Sequence, residues 1–290
     1  MIRFDKEISI LYYRFLKKRQ RCSIITKVPI LMYHSISNHS INKLHPYYST
    51  VTSPERFEKH MKFLKKNKYN VITLDTLQFL LTRSDPYLQN SVVITFDDGL
   101  EDFYQNAWPV LREYNFPATV FLTVNWVGNN IDNKYLDWHQ IHELSKNGIS
   151  FGSHSLSHGM LHLMPQEAWK REVAVSKEII ESKTGKVVHY FSYPYAFPEH
   201  DTKFIHKLKE ILRASGYERC LTTIIGRVSL GDNGFFFKRI PINSEDDMSL
   251  LMVKLQGGYD WLRFPQWIVK KLQNRKPKVL YYEDSNNNAR

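Results

Sequence analysis

The feature that most constrains this chain is a regular alternation of two hydrophobic periods. Runs rich in β-branched and aromatic residues at 29–33, 70–74, 91–96, 118–124, 149–152, 189–192, 219–223 and 235–240 read as strands. Helical periodicities fill most of the gaps. Ser53 and Pro54 open one with Phe57, Met61 and Leu64 on a face, and Asp75 caps another that carries Leu77, Leu80 and Leu81. Further helices are predicted over 101–114, 137–146, 165–183 (stopped by Gly185) and 201–214 (stopped by Gly216). A strand followed each time by a helix returns parallel to its predecessor, with helices outside the sheet. Eight candidate strands without a linker or an internal repeat predict one α/β domain, a closed or nearly closed barrel.

The remaining constraints are compositional. At 290 residues and 42% hydrophobic content the chain buries a core without covalent staples. Two cysteines, Cys22 and Cys220, exclude a disulfide framework and a Cys-rich zinc site, and favour a reducing compartment. A net charge of +11 draws the chain toward anions, whether nucleic acid, anionic lipid or charged glycan. The basic residues are dispersed and no nucleic-acid module is visible, so no nucleic-acid partner is expected. No apolar run approaches the length of a membrane span, and the first 21 residues lack the core of a signal peptide, which predicts a cytoplasmic location, at the inner membrane surface if membrane-bound.

Both ends of the chain are amphipathic. Phe4, Ile8, Leu11 and Phe15 form one helical stripe, followed by Lys17, Lys18, Arg19 and Arg21. Two readings stand: a helix packed on the domain, or one lying on a membrane surface. Near the other end Tyr259, Trp261, Phe264, Trp267 and Ile268 accompany Lys270, Lys271, Arg275 and Lys276. That segment suits a membrane interface, an acidic glycan, or simple docking on the barrel. The division expected is an N-terminal amphipathic basic helix (1–27), a catalytic domain (28–245) and a C-terminal aromatic and basic helix with a frayed tail (246–290).

Chemistry gathers where the strands end. Val92-Val93-Ile94-Thr95-Phe96 runs into Asp97-Asp98-Gly99, and adjacent carboxylates after a buried strand are costly unless a cation offsets them. The strand at 149–152 leads to His154 and His158, four residues apart. Two imidazoles and one carboxylate with an open position make a catalytic zinc ligand set. The strand at 29–33 ends in His34, and that at 189–192 in Tyr193-Pro194-Tyr195. In a parallel barrel all four ends fall on one face, where such enzymes place their sites. Taken singly, each has an ordinary reading: a turn for Asp-Asp-Gly, a solvated face for the imidazole pair, a buried packing histidine for His34.

Thr95-Phe96-Asp97-Asp98-Gly99, then His154-Ser155-Leu156-Ser157-His158, then Phe191-Ser192-Tyr193-Pro194-Tyr195 resemble the first three motifs of the polysaccharide deacetylases, the NodB-homology group (carbohydrate esterase family 4). The resemblance runs over roughly residues 28 to 245. It implies an irregular (β/α) barrel of the glycoside hydrolase/deacetylase type and a metal-dependent hydrolase that removes acetyl groups from N-acetylhexosamine units of a surface polysaccharide or its lipid-linked precursor. It further implies that Asp98, His154 and His158 hold one divalent metal, Zn²⁺ before Co²⁺ or Ni²⁺. Asp97 would be the general base, and the backbone N–H of Tyr195 an oxyanion donor.

Two departures from the pattern matter. Many members begin the third motif with an arginine that pairs with the catalytic Asp, and here the position is Ser192; Arg239 is the candidate substitute. The late Leu-x-His motif is absent, whereas Ile30-Leu31-Met32-Tyr33-His34 is an apolar strand ending in histidine. That order resembles the permuted branch containing the poly-N-acetylglucosamine deacetylases, which implies His34 as general acid. Trp138 reads as packing. The rival readings are an O-acetyl esterase on the same site and a non-catalytic carbohydrate-binding descendant of the fold. Retention of both Asp97 and Asp98 speaks against the second.

Overall fold

The computed structural model describes residues 3–19, 27–38, 48–83, 85–130, 134–229 and 234–273. Cys22, Arg21, Arg275 and the tail from Lys276 lie outside them. Seven parallel strands form the barrel: β1 (Ile30–Tyr33), β2 (Ser91–Phe96), β3 (Ala118–Leu122), β4 (Ile149–Ser153), β5 (Tyr190–Ser192), β6 (Arg219–Ile225) and β7 (Phe236–Pro241). Each pairs with the next in chain order. The ring closes where Ile240 and Pro241 of β7 pair with Leu31 and Met32 of β1. The contact between β4 and β5 is thin, a single pair between Ser153 and Phe191.

Strand periodicity sorts the side chains. Val92, Ile94 and Phe96 point outward into the large core beneath the helices. Val93 points inward with Ile30, Phe121, Tyr190, Leu221 and Phe237, forming an apolar floor from six strands. Two residues further along the same strands, toward the open end, lie Thr95, Ser192 and Arg239, and beyond Thr95 comes Asp97. The floor thus carries a polar layer built by the same alternation. Gly152 lets β4 approach its neighbours: a Cβ there would sit 2.4 Å from the Phe121 ring and 2.9 Å from the Tyr190 carbonyl.

The helices begin where expected, with one exception. Ser53 caps Pro54–Lys66, Asp137 and Gln140 form a capping box on Trp138–Lys146, and Asp201 caps Thr202–Ala214. Trp138 packs against the main core. The strand predicted at 70–74 shrinks to Asn70–Val71, which among the described residues pairs with the start of β2 and stays outside the ring. The Thr73 hydroxyl accepts from the Thr76 amide and starts the helix Leu74–Arg83 before the strand can extend. Thr73, not Asp75, is therefore the cap. Asp75 instead accepts a hydrogen bond from the Tyr190 hydroxyl (2.7 Å).

The N-terminal helix, Phe4–Arg19, packs on Met248–Leu255, but not by its apolar stripe. Ser9 and Tyr13 are the buried residues. Ser9 Oγ accepts from Trp261 Nε1 (2.9 Å), Asp5 from the Tyr259 hydroxyl (2.7 Å), and Tyr13 bonds Gln256. These polar partners outweigh what the stripe alone offers, and Phe4 and Leu11 are each left 68% exposed.

The helix Pro54–Lys66 carries a buried histidine with a pH signature. His60 is fully buried; its Nε2 donates to the Asp246 carbonyl (2.6 Å) and its Nδ1 accepts from the Tyr33 hydroxyl (3.0 Å). Burial, opposed in part by that carbonyl and the Asp246 charge, pushes its pKa down to about 4. The folded chain keeps this ring neutral, while the unfolded chain protonates it below about 6.5. The stabilisation is complete above that pH and is lost as pH falls toward 4, a total of about 3 kcal/mol. Thermal melts of wild type and His60→Gln should therefore converge as the pH is lowered across that window.

Candidate metal and catalytic site

The two carboxylates at the end of β2 meet different surroundings. Asp97 continues the inward row and is 2% exposed. Arg239, rising two residues beyond Phe237 on β7, donates Nη1 to Asp97 Oδ1 and Nη2 to Oδ2, both at 2.7 Å. This fork-on-fork pairing is the geometry guanidinium and carboxylate favour. Arg239 therefore occupies the role that Ser192 leaves open. Ser192 joins them: its hydroxyl donates to Asp97 Oδ1 (3.2 Å) and accepts from Arg239 Nη2 (2.9 Å). Burial alone would raise the Asp97 pKa, but Arg239, His154 and His34 outweigh it and hold the carboxyl below its usual range.

Asp98 turns away. It and Gly99 both adopt left-handed backbone, each with φ of 74°, a conformation that Asp tolerates and Gly favours. A Cβ on Gly99 would meet Leu122 Cδ2 at 2.8 Å. The turn swings Asp98 toward the loop after β4, where Ser155 and His158 are left-handed as well. Such clustering of unusual backbone belongs to constrained sites. Asp98 Oδ1 lies 3.4 Å from His154 Nε2 and 3.3 Å from His158 Nε2. His154 Nδ1 donates to the Ser192 carbonyl (2.8 Å), which leaves Nε2 to face the carboxylate.

These three side chains suit a divalent cation. Their ligand atoms lie within 4.8 Å of one another, and Asp98 Oδ1 is buried without a hydrogen bond. An orphaned buried carboxylate oxygen between two imidazoles is the residue of an unmet charge. The pKa values of the two imidazoles move in opposite directions. Burial opposes charge on His154, but Asp97 and Asp98 raise its pKa, whereas for His158 burial prevails and lowers it. The same imidazoles hold Asp98 well below the ordinary carboxylate range against its burial.

His34, just past β1, is partly exposed, and its Nε2 lies 4.0 Å from Asp97 Oδ2. Tyr195 has φ of 59° and lays its ring 4.5 Å from that of His158, which also meets Trp126 at 4.7 Å and His154 at 4.8 Å. The Thr223 hydroxyl donates to the Tyr195 carbonyl (3.0 Å) and fixes the loop. All six residues singled out from the sequence thus converge at the open end of the barrel.

Sequence reasoning missed Glu172. It sits in a π-turn (Arg171–Val175) inside the helical stretch 166–184, on the face shared by Trp169, Val173, Ser176 and Ile180. Its carboxylate accepts from the amides of Leu156 (3.1 Å) and Ser157 (2.9 Å) and from the Ser157 hydroxyl (2.8 Å). It thereby holds the loop between the two histidines. A charged residue on a buried helix face was the available signal. Glu172→Gln keeps the shape but halves the acceptor capacity, and weakened support of metal ligands typically lowers affinity about 10–100-fold. A competition titration with a chromogenic zinc chelator should register that loss in a chain that still folds.

Comparison with known proteins agrees with this geometry. The family model for polysaccharide deacetylase matches residues 85–217, a stretch holding Asp97, Asp98, His154, His158 and Tyr195 but neither His34 nor Arg239. YxkH of Bacillus subtilis (strain 168), named as a polysaccharide deacetylase, is 32% identical over 218 residues, covering 75% of this chain and 72% of its own. The poly-beta-1,6-N-acetyl-D-glucosamine N-deacetylase of Staphylococcus aureus (strain MRSA252) is 26% identical over 222 residues, with 71% and 72% covered. The structure of the Streptococcus pyogenes deacetylase PplD in complex with acetate superposes with a TM-score of 0.70 at 22% identity, covering 80% of this chain and 99% of that one. Sequence likeness, a seven-stranded (β/α) barrel and the conjunction of carboxylates and imidazoles at its mouth lead to one assignment: the chain is a hydrolase of the polysaccharide deacetylase family.

Proposed function

We propose that the protein removes acetyl groups from N-acetylhexosamine units of a surface polysaccharide or its lipid-linked precursor, with one divalent metal. The observation that carries this reading is the division of labour between adjacent carboxylates. Asp97 is ion-paired with Arg239 and so stays anionic, while Asp98 has an orphaned oxygen facing two imidazoles. A base kept anionic beside a metal ligand set is what hydrolysis of an unactivated acyl bond requires.

Asp98, His154 and His158 would hold the cation, for which two nitrogens and an oxygen favour Zn²⁺, with Co²⁺ or Ni²⁺ also accommodated. When bound, it polarises the acetyl carbonyl and acidifies water. Asp97 takes the proton of the attacking water at a carboxylate oxygen, with Arg239 and Ser192 keeping that group charged and oriented. The Tyr195 amide donates to the developing oxyanion. His34 donates a proton to the departing sugar amine, so that the nitrogen leaves as a neutral amine when the C–N bond breaks.

The test combines metal content with acetate release. Elemental analysis should find about one equivalent of metal per chain, as a single three-residue ligand set demands. Chelator treatment should abolish acetate release from N-acetylglucosamine oligomers, and zinc should restore it. Release from O-acetylated sugars alone would replace this reading with an esterase, and no release from any acetylated sugar by the metal-loaded protein would refute it.

A further inference from the structure

Two apolar rows stand outward, one on each of two neighbouring helices. On Phe4–Arg19 the row is Phe4, Ile8 and Leu11, spaced four and three residues apart and set opposite the docked Ser9 and Tyr13. On Arg263–Gln273 it is Phe264, Ile268 and Leu272, at successive four-residue steps, with Phe264 68% and Leu272 59% exposed. The opposite side of that helix is tied down. Gln266 accepts from the Ile225 amide (3.2 Å) and donates to the Thr223 carbonyl (3.1 Å), while Lys270 is buried near Glu199. The first helix docks through Tyr13 and Ile10 on an apolar cluster with Leu250, Val253 and Leu262 as well as through its polar partners, the second chiefly through Gln266 and Lys270, and both still turn a row of large apolar side chains to solvent.

The rows share a neighbourhood. The first helix packs on Met248–Leu255, its Ser9 accepts from Trp261, and the turn Asp260–Leu262 containing Trp261 runs directly into Arg263. Exposed Arg14 and Glu7 border the first row, and exposed Lys271 borders the second, whose helix carries no acidic residue; Arg263, on the docked side, lies 3.7 Å from Glu199. In the sequence, Arg21 follows the first helix and Arg275, Lys276 and Lys278 follow the second.

We propose that these two rows seat the protein on the surface of an anionic phospholipid bilayer. Apolar rows fringed by lysine and arginine match the boundary between acyl chains and negative headgroups. No described helix is long and apolar enough to cross a membrane, so the attachment is peripheral. A second copy of the chain is a poorer occupant, because a two-fold pairing sets the basic fringes against each other. The seating also has a direction. Gln266 grips the end of β6 at Thr223, whose hydroxyl holds the Tyr195 carbonyl, so the second helix borders the mouth of the site. Resting on the deacetylase reading, this orientation assigns as substrate a glycan held close to the headgroups.

Vesicle co-sedimentation of the full chain tests the seating without any substrate. Wild type should partition at least about tenfold more strongly to vesicles of mixed phosphatidylcholine and phosphatidylglycerol than to phosphatidylcholine alone, and high salt should reverse the gain. Leu11→Glu and Phe264→Glu, each on an exposed position, should each lower that partition by about tenfold, with metal content and melting temperature unchanged. Absence of partition, indifference to both substitutions, or a wild-type dimer in light scattering that Leu11→Glu dissolves would overturn the proposal. A vesicle-bound protein that releases no acetate would refute the deacetylase reading and leave this one standing.

Discussion

Arg239→Met is expected to remove both the catalyst and a large part of the stability. The guanidinium and the Asp97 carboxylate are paired at 2.7 Å on both arms, with side-chain exposures of 0% and 2%. Methionine fills the space above the Phe121 ring, which the guanidinium faces at 5.9 Å, but leaves a buried carboxylate alone. Removing one member of a buried pair costs about 3–5 kcal/mol. The chain can lessen that cost only by protonating Asp97, because burial raises its pKa once the arginine is gone. A protonated Asp97 accepts no proton, so activity at neutral pH should fall about 10²–10⁴-fold, the usual worth of a general base. Denaturant titration reads the first effect and acetate release the second. Arg239→Lys restores a charge without the fork, and should recover part of the activity with the acid limb of its pH profile moved upward. Full activity in Arg239→Met would show that Asp97 is not the base.

Asp97→Asn and Asp98→Asn should separate chemistry from metal binding at adjacent positions. Asparagine at 97 retains size and hydrogen bonds to Ser192 but takes no proton, so turnover should drop by about 10²–10⁴-fold with metal content near that of the wild type. Asparagine at 98 offers an uncharged ligand oxygen where the structure places the orphaned Oδ1. Metal should then be lost on dialysis, and activity with it. The pair of measurements is stronger than either alone, because general misfolding would give both variants the same phenotype. Equal metal loss in both would mean that the two carboxylates share the cation.

Much of this molecule is legible in its sequence because strand and helix periods differ. Ser91–Phe96 is predicted to the residue, since a continuous apolar run between turn signals has one reading once helices surround the sheet. The convergence of Asp97, Asp98, His154, His158, His34 and Tyr195 follows from one rule, that parallel strands end on one face. What escapes is set by competition. Asn70–Val71 stops short because the Thr73 cap starts a helix first. The N-terminal stripe is read correctly as a stripe, but periodicity does not say which side docks when the polar side has hydrogen-bond partners waiting in Tyr259 and Trp261. Arg239, 142 positions from Asp97, does not escape: its place in the apolar run 235–240 makes it the candidate partner, and the structure pairs the two. Glu172 does escape, its only signal being a charged residue on a buried helix face.

Closing the ring in strict chain order has a consequence for how the enzyme comes into being. The residues proposed to hold the cation follow β2 and β4, in the middle of the barrel, whereas His34 follows its first strand and Arg239 belongs to its last. A nascent chain emerging from the ribosome would therefore complete that proposed set roughly eighty residues before it acquires the guanidinium that pairs with Asp97, about 4–16 s at ordinary elongation rates. The full constellation waits for the seam between β7 and β1. That seam makes the first and last strands of the barrel, rather than its best-matched centre, the final step in assembling the site.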